Sequence, residues 1–272
     1  MSAALPSAPE AAPILSLEDV HKTFGHQQVL AGLSLSVQRG EALVVTGPSG
    51  GGKTVLLKHA IGLLRPDRGR LWVDGRDFWS VGARERNALR ARMGYVFQEG
   101  ALFDSMTVGE NVGFPLRREG RLSDAQLRDR VEECLSLVHL SGTQERLPSQ
   151  LSTGMRRRVG IARALTRQPE ILLFDEPTAG LDPMLVTVID RIIRELTQTL
   201  QVTTITVTHD LRTARTVGSR VALLSGGVLI ADAPGEVFFE MEHPAVRQWI
   251  EGSPEGPLLA EEERGRRNGG RR

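Results

Sequence analysis

Two rhythms of apolar residues run along this chain. From Ile14 to Phe24 (ILSLEDVHKTF) and from Val29 to Val37 (VLAGLSLSV), apolar and polar positions alternate, the period of half-buried strands. A turn at Arg39-Gly40 follows, then the apolar run Ala42 to Val45. This predicts an antiparallel sheet leading into a buried strand. The amphipathic stretch Val55 to Leu64 predicts a helix, and Asp67 to Gly69 a turn. Leu71 to Val73 reads as a strand, closed by Asp74-Gly75, a hairpin dipeptide. Residues 83–92 read as a helix, and Met93 to Phe97 as a strand ending at Gln98.

The second half of the chain is more regular. Thr107 and Glu110 form a capping box for a short helix. Over 123–140, Leu127, Val131, Cys134, Leu135 and Val138 recur at helical spacing. Leu147-Pro148 breaks the chain, and Ser152 caps a helix to about Thr166. Ile171 to Phe174 is apolar without alternation, as in a strand covered on both faces. A helix from Pro183, a strand over 202–208 and a helix over 211–217 come next. Strands at 220–224 and 228–231 join through Ser225-Gly226-Gly227, and a last helix covers 243–250. Strands alternating with helices predict an α/β fold with a doubly wound parallel sheet, whose sites collect at the carboxyl ends of the strands. Residues 99–167 are then a mainly helical insert.

Composition narrows the classes. At 272 residues with formal net charge +1, the chain gives no global electrostatic case for binding nucleic acid. Cys134 is the single cysteine, so no disulfide forms within the chain, which fits a reducing compartment. Its place on an apolar helix face makes it a core residue. The Ala/Pro-rich start, residues 1–13, has no secretory pattern and is expected to be disordered. No apolar run reaches the length of a membrane span. If the protein works at a membrane, another chain supplies the membrane part.

The chemistry begins at Gly47-Pro48-Ser49-Gly50-Gly51-Gly52-Lys53-Thr54, set between an apolar strand and a helix. That context is what a phosphate-binding P-loop requires. The glycines let backbone N–H groups approach an anion, and the helix turns its positive end to the same place. Lys53 can reach the β- and γ-phosphates of a nucleotide, and Thr54 can offer its hydroxyl to Mg²⁺. Asp175 ends a buried strand and can hold Mg²⁺ opposite Thr54. Glu176 is placed to orient or deprotonate an attacking water, or is a solvent-facing acid at a strand end. His209 can contact phosphate or water, or is structural. Gln98 is a polar strand end. Phe24 either stacks on a flat base or is a half-buried strand residue. Ser152-Thr153-Gly154 is either a second anion site or an N-cap with a turn glycine. Arg156, Arg157 and Arg158 read as a solvated helix face.

In this order the motifs resemble the nucleotide-binding subunit of an ABC transporter over residues 14–250. GPSGGGKT stands as Walker A, ILLFDE as Walker B, LSTGM as the signature LSGGQ and AGLDP as the D-loop. The resemblance implies a P-loop NTPase (RecA-like) core, an N-terminal antiparallel β-subdomain and a helical signature subdomain, within an ATP-binding domain at 14–251. It makes the protein an ATPase, with Glu176 as catalytic base, His209 as switch histidine and Phe24 stacked on adenine. Gln98, in the Q-loop, joins Thr54 and Asp175 around Mg²⁺. It also implies a head-to-tail homodimer, in which Ser152 and Gly154 of one copy, with the D-loop aspartate Asp182, complete the ATP site of the other. Thr153 and Met155 depart from the LSGGQ pattern: one adds a Cβ where backbone nears phosphate, the other removes a polar contact, and both can slow hydrolysis.

The segment FQEGALFDSMTVGENVGFPLR and the ending RQWIEGSPEGPL resemble the phospholipid-transport ATPases of the maintenance-of-lipid-asymmetry (Mla) type, where Met155 is also expected. This implies a subunit on the cytoplasmic face of the inner membrane, a separate permease docking near Ala101-Phe103, and a lipid-binding partner protein. Alternatives are an importer or exporter ATPase for amino acids, ions or drugs, a regulatory subunit slowed by Thr153, and a soluble ABC ATPase without a permease. One P-loop and no sustained heptads argue against the last. Residues 252–272 are expected to be a flexible extension, whose arginines can touch anionic headgroups.

Overall fold

The computed structural model describes residues 12–98 and 100–258. Two strands, β1 (Leu15–Phe24) and β2 (Gln27–Val37), pair antiparallel as their alternation predicts. β4 (Arg68–Val73) and β5 (Arg76–Asp77) extend them into a four-stranded sheet, β2-β1-β4-β5. Asp74 and Gly75 both take positive φ (52° and 72°), the geometry of a tight hairpin turn.

The P-loop strand β3 (Ala42–Thr46) belongs to a second sheet. Its partners are β6 (Met93–Val96), β7 (Ile171–Asp175), β8 (Thr203–Val207), β9 (Arg220–Ser225) and β10 (Val228–Pro234). The order is β10-β9-β3-β8-β7-β6, parallel apart from the antiparallel β9–β10 pair. The continuous apolar runs are explained by two cores, one on each face. Leu43, Val45, Ile171 and Leu173 point into the core shared with the antiparallel sheet and α1 (Lys53–Ala60). Val44, Leu172 and Phe174 point into the other. That second core is lined by α4 (Asp124–Leu137), α5 (Thr153–Leu165) and α6 (Pro183–Leu200). Cys134 is fully buried there, and burial pushes its thiol up to about 11, as suits a core residue and not a nucleophile.

Between β6 and β7 lie α3 (Val108–Glu119), α4 and α5. The Thr107–Glu110 capping box is formed, and α3 runs twelve residues through Pro115 instead of being short. α2 (Ala83–Ala91) and α7 (Leu211–Val217) match expectation to within one residue.

Several expectations are corrected. The first helix begins at Lys53, not Val55, because the loop glycine Gly52 serves as its N-cap; it ends at Ala60, ahead of Gly62 at φ 69°. β4 begins inside the expected turn, and β10 continues to Pro234. A helix α8 (Gly235–Glu240) appears where no element was expected, and it buries Phe238 and Phe239. α9 (Pro244–Glu251) is the last of the predicted helices. At the start of the extension Leu258 is buried and donates its N–H to Gln248 Oε1 at 2.8 Å. Residues 1–11 and 259–272, including the Arg-rich end, lie outside the described residues.

Candidate functional site

The carboxyl ends of β3, β7 and β8 converge because the three strands are neighbours in one parallel sheet. At the end of β3, Gly47 takes φ 142° and passes so close to β9 that a Cβ would lie 2.1 Å from the Leu224 carbonyl oxygen. Only glycine fits this approach. Behind it, Trp249 Nε1 donates to Thr46 Oγ1 at 3.0 Å, tying α9 to the root of the loop. Lys53 is buried, and its ammonium donates to the Gly47 and Pro48 carbonyls at 2.7 and 2.9 Å. Burial lowers its pKa, opposed by the carboxylates of Glu176 and Asp175, so the cation is held inside an anionic neighbourhood.

Thr54 and Asp175 meet as expected: the Thr54 hydroxyl donates to Asp175 Oδ1 at 3.0 Å. The other oxygen, Oδ2, accepts from the Tyr95 hydroxyl at 2.8 Å. Burial, then the hydrogen bond to Asp175, raises the Tyr95 pKa, so the phenol is a donor at any physiological pH. Two adjacent oxygen donors beside a phosphate loop are the ligand type a hard cation such as Mg²⁺ takes, and these residues fit it.

Glu176 and His209 also meet. His209 Nδ1 lies 2.9 Å from Glu176 Oε2, and the His209 N–H reaches the same oxygen at 3.3 Å. Glu176 takes φ 49°, which a non-glycine residue adopts at a cost of about 1–2 kcal/mol; its N–H bond to the Val207 carbonyl, at 2.9 Å, holds it there. The strain turns the side chain away from the direction of Asp175, so two successive carboxylates serve different partners.

Other expected site residues stand apart. Phe24 is 47% exposed at the end of β1, with Lys22 Nζ 5.5 Å from its ring centroid. Gln98 is exposed and, among the described residues, bonds to neither Thr54 nor Asp175; it lines a groove with Thr153, Arg156 and Gly180. Ser152 caps α5, its Oγ accepting from Met155 N at 3.3 Å. Gly154 is buried where a Cβ would come within 2.9 Å of Leu185 Cδ2, which gives it a packing role. Asp182 caps α6, its carboxylate accepting from the Met184 and Leu185 N–H groups.

The three arginines are not a solvated face. Arg157 is buried and donates to the Ala179 carbonyl at 2.9 Å and to the Glu176 carbonyl at 3.4 Å. Arg158 reaches the Val138 and His139 carbonyls, and Arg156 the Leu151 carbonyl. Guanidinium forks spanning loop carbonyls explain a charge run that solvation alone does not.

The apolar loop at 101–107 is built on Asn111, which is fully buried. Its Oδ1 accepts the Phe103 N–H at 2.8 Å, and its Nδ2 donates to the carbonyls of Phe103, Met106 and Thr107 at 3.0–3.1 Å. Arg163 of α5 ties the same loop through the Gly100 and Ala101 carbonyls. Phe97, Phe103, Phe114 and Tyr95 then line a cleft beside it. Asn111 and Tyr95 were not singled out from sequence, and Arg157 only as part of a solvated helix face. The one sequence signal for Asn111 was its place at the fourth position of a capped helix, behind an unusually apolar loop.

A family model described as "ABC transporter" matches residues 30–179. The chain is 39% identical over 250 residues to the "Probable ribonucleotide transport ATP-binding protein mkl" of Mycobacterium tuberculosis, covering 92% of this chain and 70% of that one. It is 35% identical over 247 residues to the "Intermembrane phospholipid transport system ATP-binding protein MlaF" of Escherichia coli K12, covering 91% and 92%. Among solved structures it is similar to a dimeric ATP-binding cassette in a post-hydrolysis state with ADP and Pi, at TM-score 0.74 and 32% identity over 81% of this chain and 98% of that one.

Proposed function

The chain belongs to the ABC transporter family as an ATP-binding ATPase subunit, and from that premise we propose that it powers phospholipid movement between membranes through a separate permease. The observation that carries the ATPase chemistry is the pairing of Thr54 with Asp175 and of Glu176 with His209 beside one P-loop. The P-loop N–H groups and Lys53 bind the triphosphate, which requires Lys53 to exchange its loop carbonyls for phosphate oxygens. Thr54 and Asp175, with Gln98 as a further candidate ligand, would hold Mg²⁺, which would supply positive charge beside the bound phosphates. Glu176 takes a proton from the attacking water through Oε1, while His209 fixes Oε2. Phe24, exposed at the end of β1, stacks on adenine.

Two copies make the working unit in this reading. Ser152 and Gly154 of one copy approach the γ-phosphate bound by the other, and Asp182 positions the loop between them. The dimeric state of the similar cassette supports this arrangement. Glu176→Gln should dimerise with ATP and Mg²⁺ and remain monomeric with ADP in sedimentation velocity. A variant that turns over ATP at the wild-type rate would remove Glu176 from the base role.

The permease docks at the cleft lined by Phe97, Phe103 and Phe114. No helix among the described residues is long and apolar enough to cross a membrane, so the membrane path belongs to another chain. In this reading the subunit works on the cytoplasmic face of the inner membrane, with a lipid-binding protein as a further partner. Phospholipid is favoured as cargo because residues 97–117 and 247–258 resemble the Mla type and because MlaF is similar over nearly its full length. The mycobacterial relative named for ribonucleotide transport supplies the second reading. Phe103→Asp should release the membrane subunit with ATP binding intact. Retention of the complex would move the docking site elsewhere.

A further inference from the structure

Tyr95 has two faces that belong to two sites. Its hydroxyl donates to Asp175 Oδ2 at 2.8 Å. Its ring lies 4.6 Å from the Phe97 ring and lines the same cleft as Phe103 and Phe114. The strand geometry makes this possible. β6 runs parallel to β7 with Tyr95 opposite Leu173, so a phenol extended toward the carboxyl end reaches Asp175, two residues on. Asp175 is thereby gripped on both oxygens, by Thr54 on one and Tyr95 on the other.

We propose that Tyr95 is a positioning residue that couples occupancy of the aromatic cleft to the orientation of the Asp175 carboxylate. This rests on the reading of that cleft as the permease-docking surface. A carboxylate held at Oδ2 by a fixed donor presents Oδ1 to Thr54 without rotating, which is what an outer-shell partner of a metal ligand does. A partner side chain entering the cleft presses on the Phe97 and Tyr95 rings. A small tilt of the phenol lengthens or shortens its bond to Oδ2. The route is independent of Gln98, which makes no bond to Asp175 among the described residues.

Tyr95 is the single tyrosine of the chain, so tyrosine labelled with ¹³C at Cζ gives one resonance that reports on this hydroxyl. In the isolated subunit that resonance should shift when Mg²⁺ is added with ADP, and shift again in the complex with the permease. Tyr95→Phe keeps the ring packing and removes the donor. It should lower the thermal midpoint by only the few degrees that one lost hydrogen bond costs and leave co-purification with the permease unchanged. It should also raise the Mg²⁺ concentration for half-maximal binding of a fluorescent ATP analogue about tenfold, and weaken stimulation of ATPase activity by the permease.

A Mg²⁺ curve superimposable on wild type, or a Cζ resonance unmoved by Mg²⁺-ADP, would overturn the proposal. So would a shifted Mg²⁺ curve with full stimulation by the permease, because the coupling would then be absent. If instead Phe103→Asp retains the permease, the docking reading fails, while the Mg²⁺ curve still decides whether Tyr95 orients Asp175.

Discussion

Asn111 is a small residue with a large share of the architecture of the 101–107 loop. Replacing it by leucine keeps the branched shape, with two bulkier methyl groups, and removes four side-chain hydrogen bonds. Their loss is not uniform. The Phe103 carbonyl still accepts from Met106 N, and the Thr107 carbonyl still accepts from the Asn111 backbone N–H. The Phe103 N–H and the Met106 carbonyl lose the only partner each has here among the described residues. Each orphaned group costs about 1–2 kcal/mol, so the loss is about 2–4 kcal/mol. Phe103 itself is 42% exposed, so water can reach part of the loop and the lower end is expected, about 2 kcal/mol.

Asn111→Asp is the sharper variant. It retains an acceptor for the Phe103 N–H but turns a carboxylate against three carbonyls, so at neutral pH it should be more damaging than leucine. Urea denaturation gives the stability change, and hydrogen exchange at the Phe103 amide localises it. Both variants within about 0.5 kcal/mol of wild type, a spread ordinary for surface substitutions, with an unchanged Phe103 exchange rate, would refute the assignment.

Two further perturbations probe other parts of the account. Gly47→Ala places a Cβ 2.1 Å from backbone at Leu224, whereas a Cβ at Gly50 (φ 79°) meets nothing within 4 Å. Thermal denaturation should therefore register about 3–5 kcal/mol for the first, from crowding plus left-handed strain, and about 1–2 kcal/mol for the second; equal losses would contradict the close approach of loop and β9. Asp190 of α6 is buried, and burial pushes its pKa up to about 6; the Thr213 hydroxyl and Arg212 oppose the rise, and Asp210 adds to it. Because the folded pKa lies above the unfolded value, stability should fall as pH rises from about 4 to about 6 and then level off, a total of about 3 kcal/mol. Asp190→Asn should flatten that segment in pH-dependent denaturation, and an unchanged slope would contradict the burial argument.

How far the sequence could be read depended on whether a residue's role was local. Ile171 to Phe174 was legible because a strand with core on both faces has no polar side to show, and the structure sends its residues alternately into the two cores. The caps at Thr107 and Ser152 were legible because a cap is satisfied within three residues. Thr54, Asp175, Glu176 and His209 were legible as strand-end polar groups around a P-loop, which topology then had to bring together. Arg157 was not, since its partners lie in the loop after β7, and a run of three arginines reads as solvated until those carbonyls are seen. Tyr95 looked like any aromatic in a strand, for its partner is eighty residues away. The helix at Gly235–Glu240 was hidden by Pro-Gly at its start, where proline serves as N-cap and φ restriction does not interrupt a ladder. Ser152 and Gly154, proposed to complete the site from a second copy, have local roles as a cap and a packing glycine that mask any further one.

The most direct test of the central claim is cargo movement in proteoliposomes holding this chain with its membrane subunits. Fluorescent phospholipid should leave or enter the vesicles with ATP and Mg²⁺, and stop with Glu176→Gln at unchanged complex assembly. ATP-driven uptake of labelled ribonucleotide with no phospholipid movement would contradict the account.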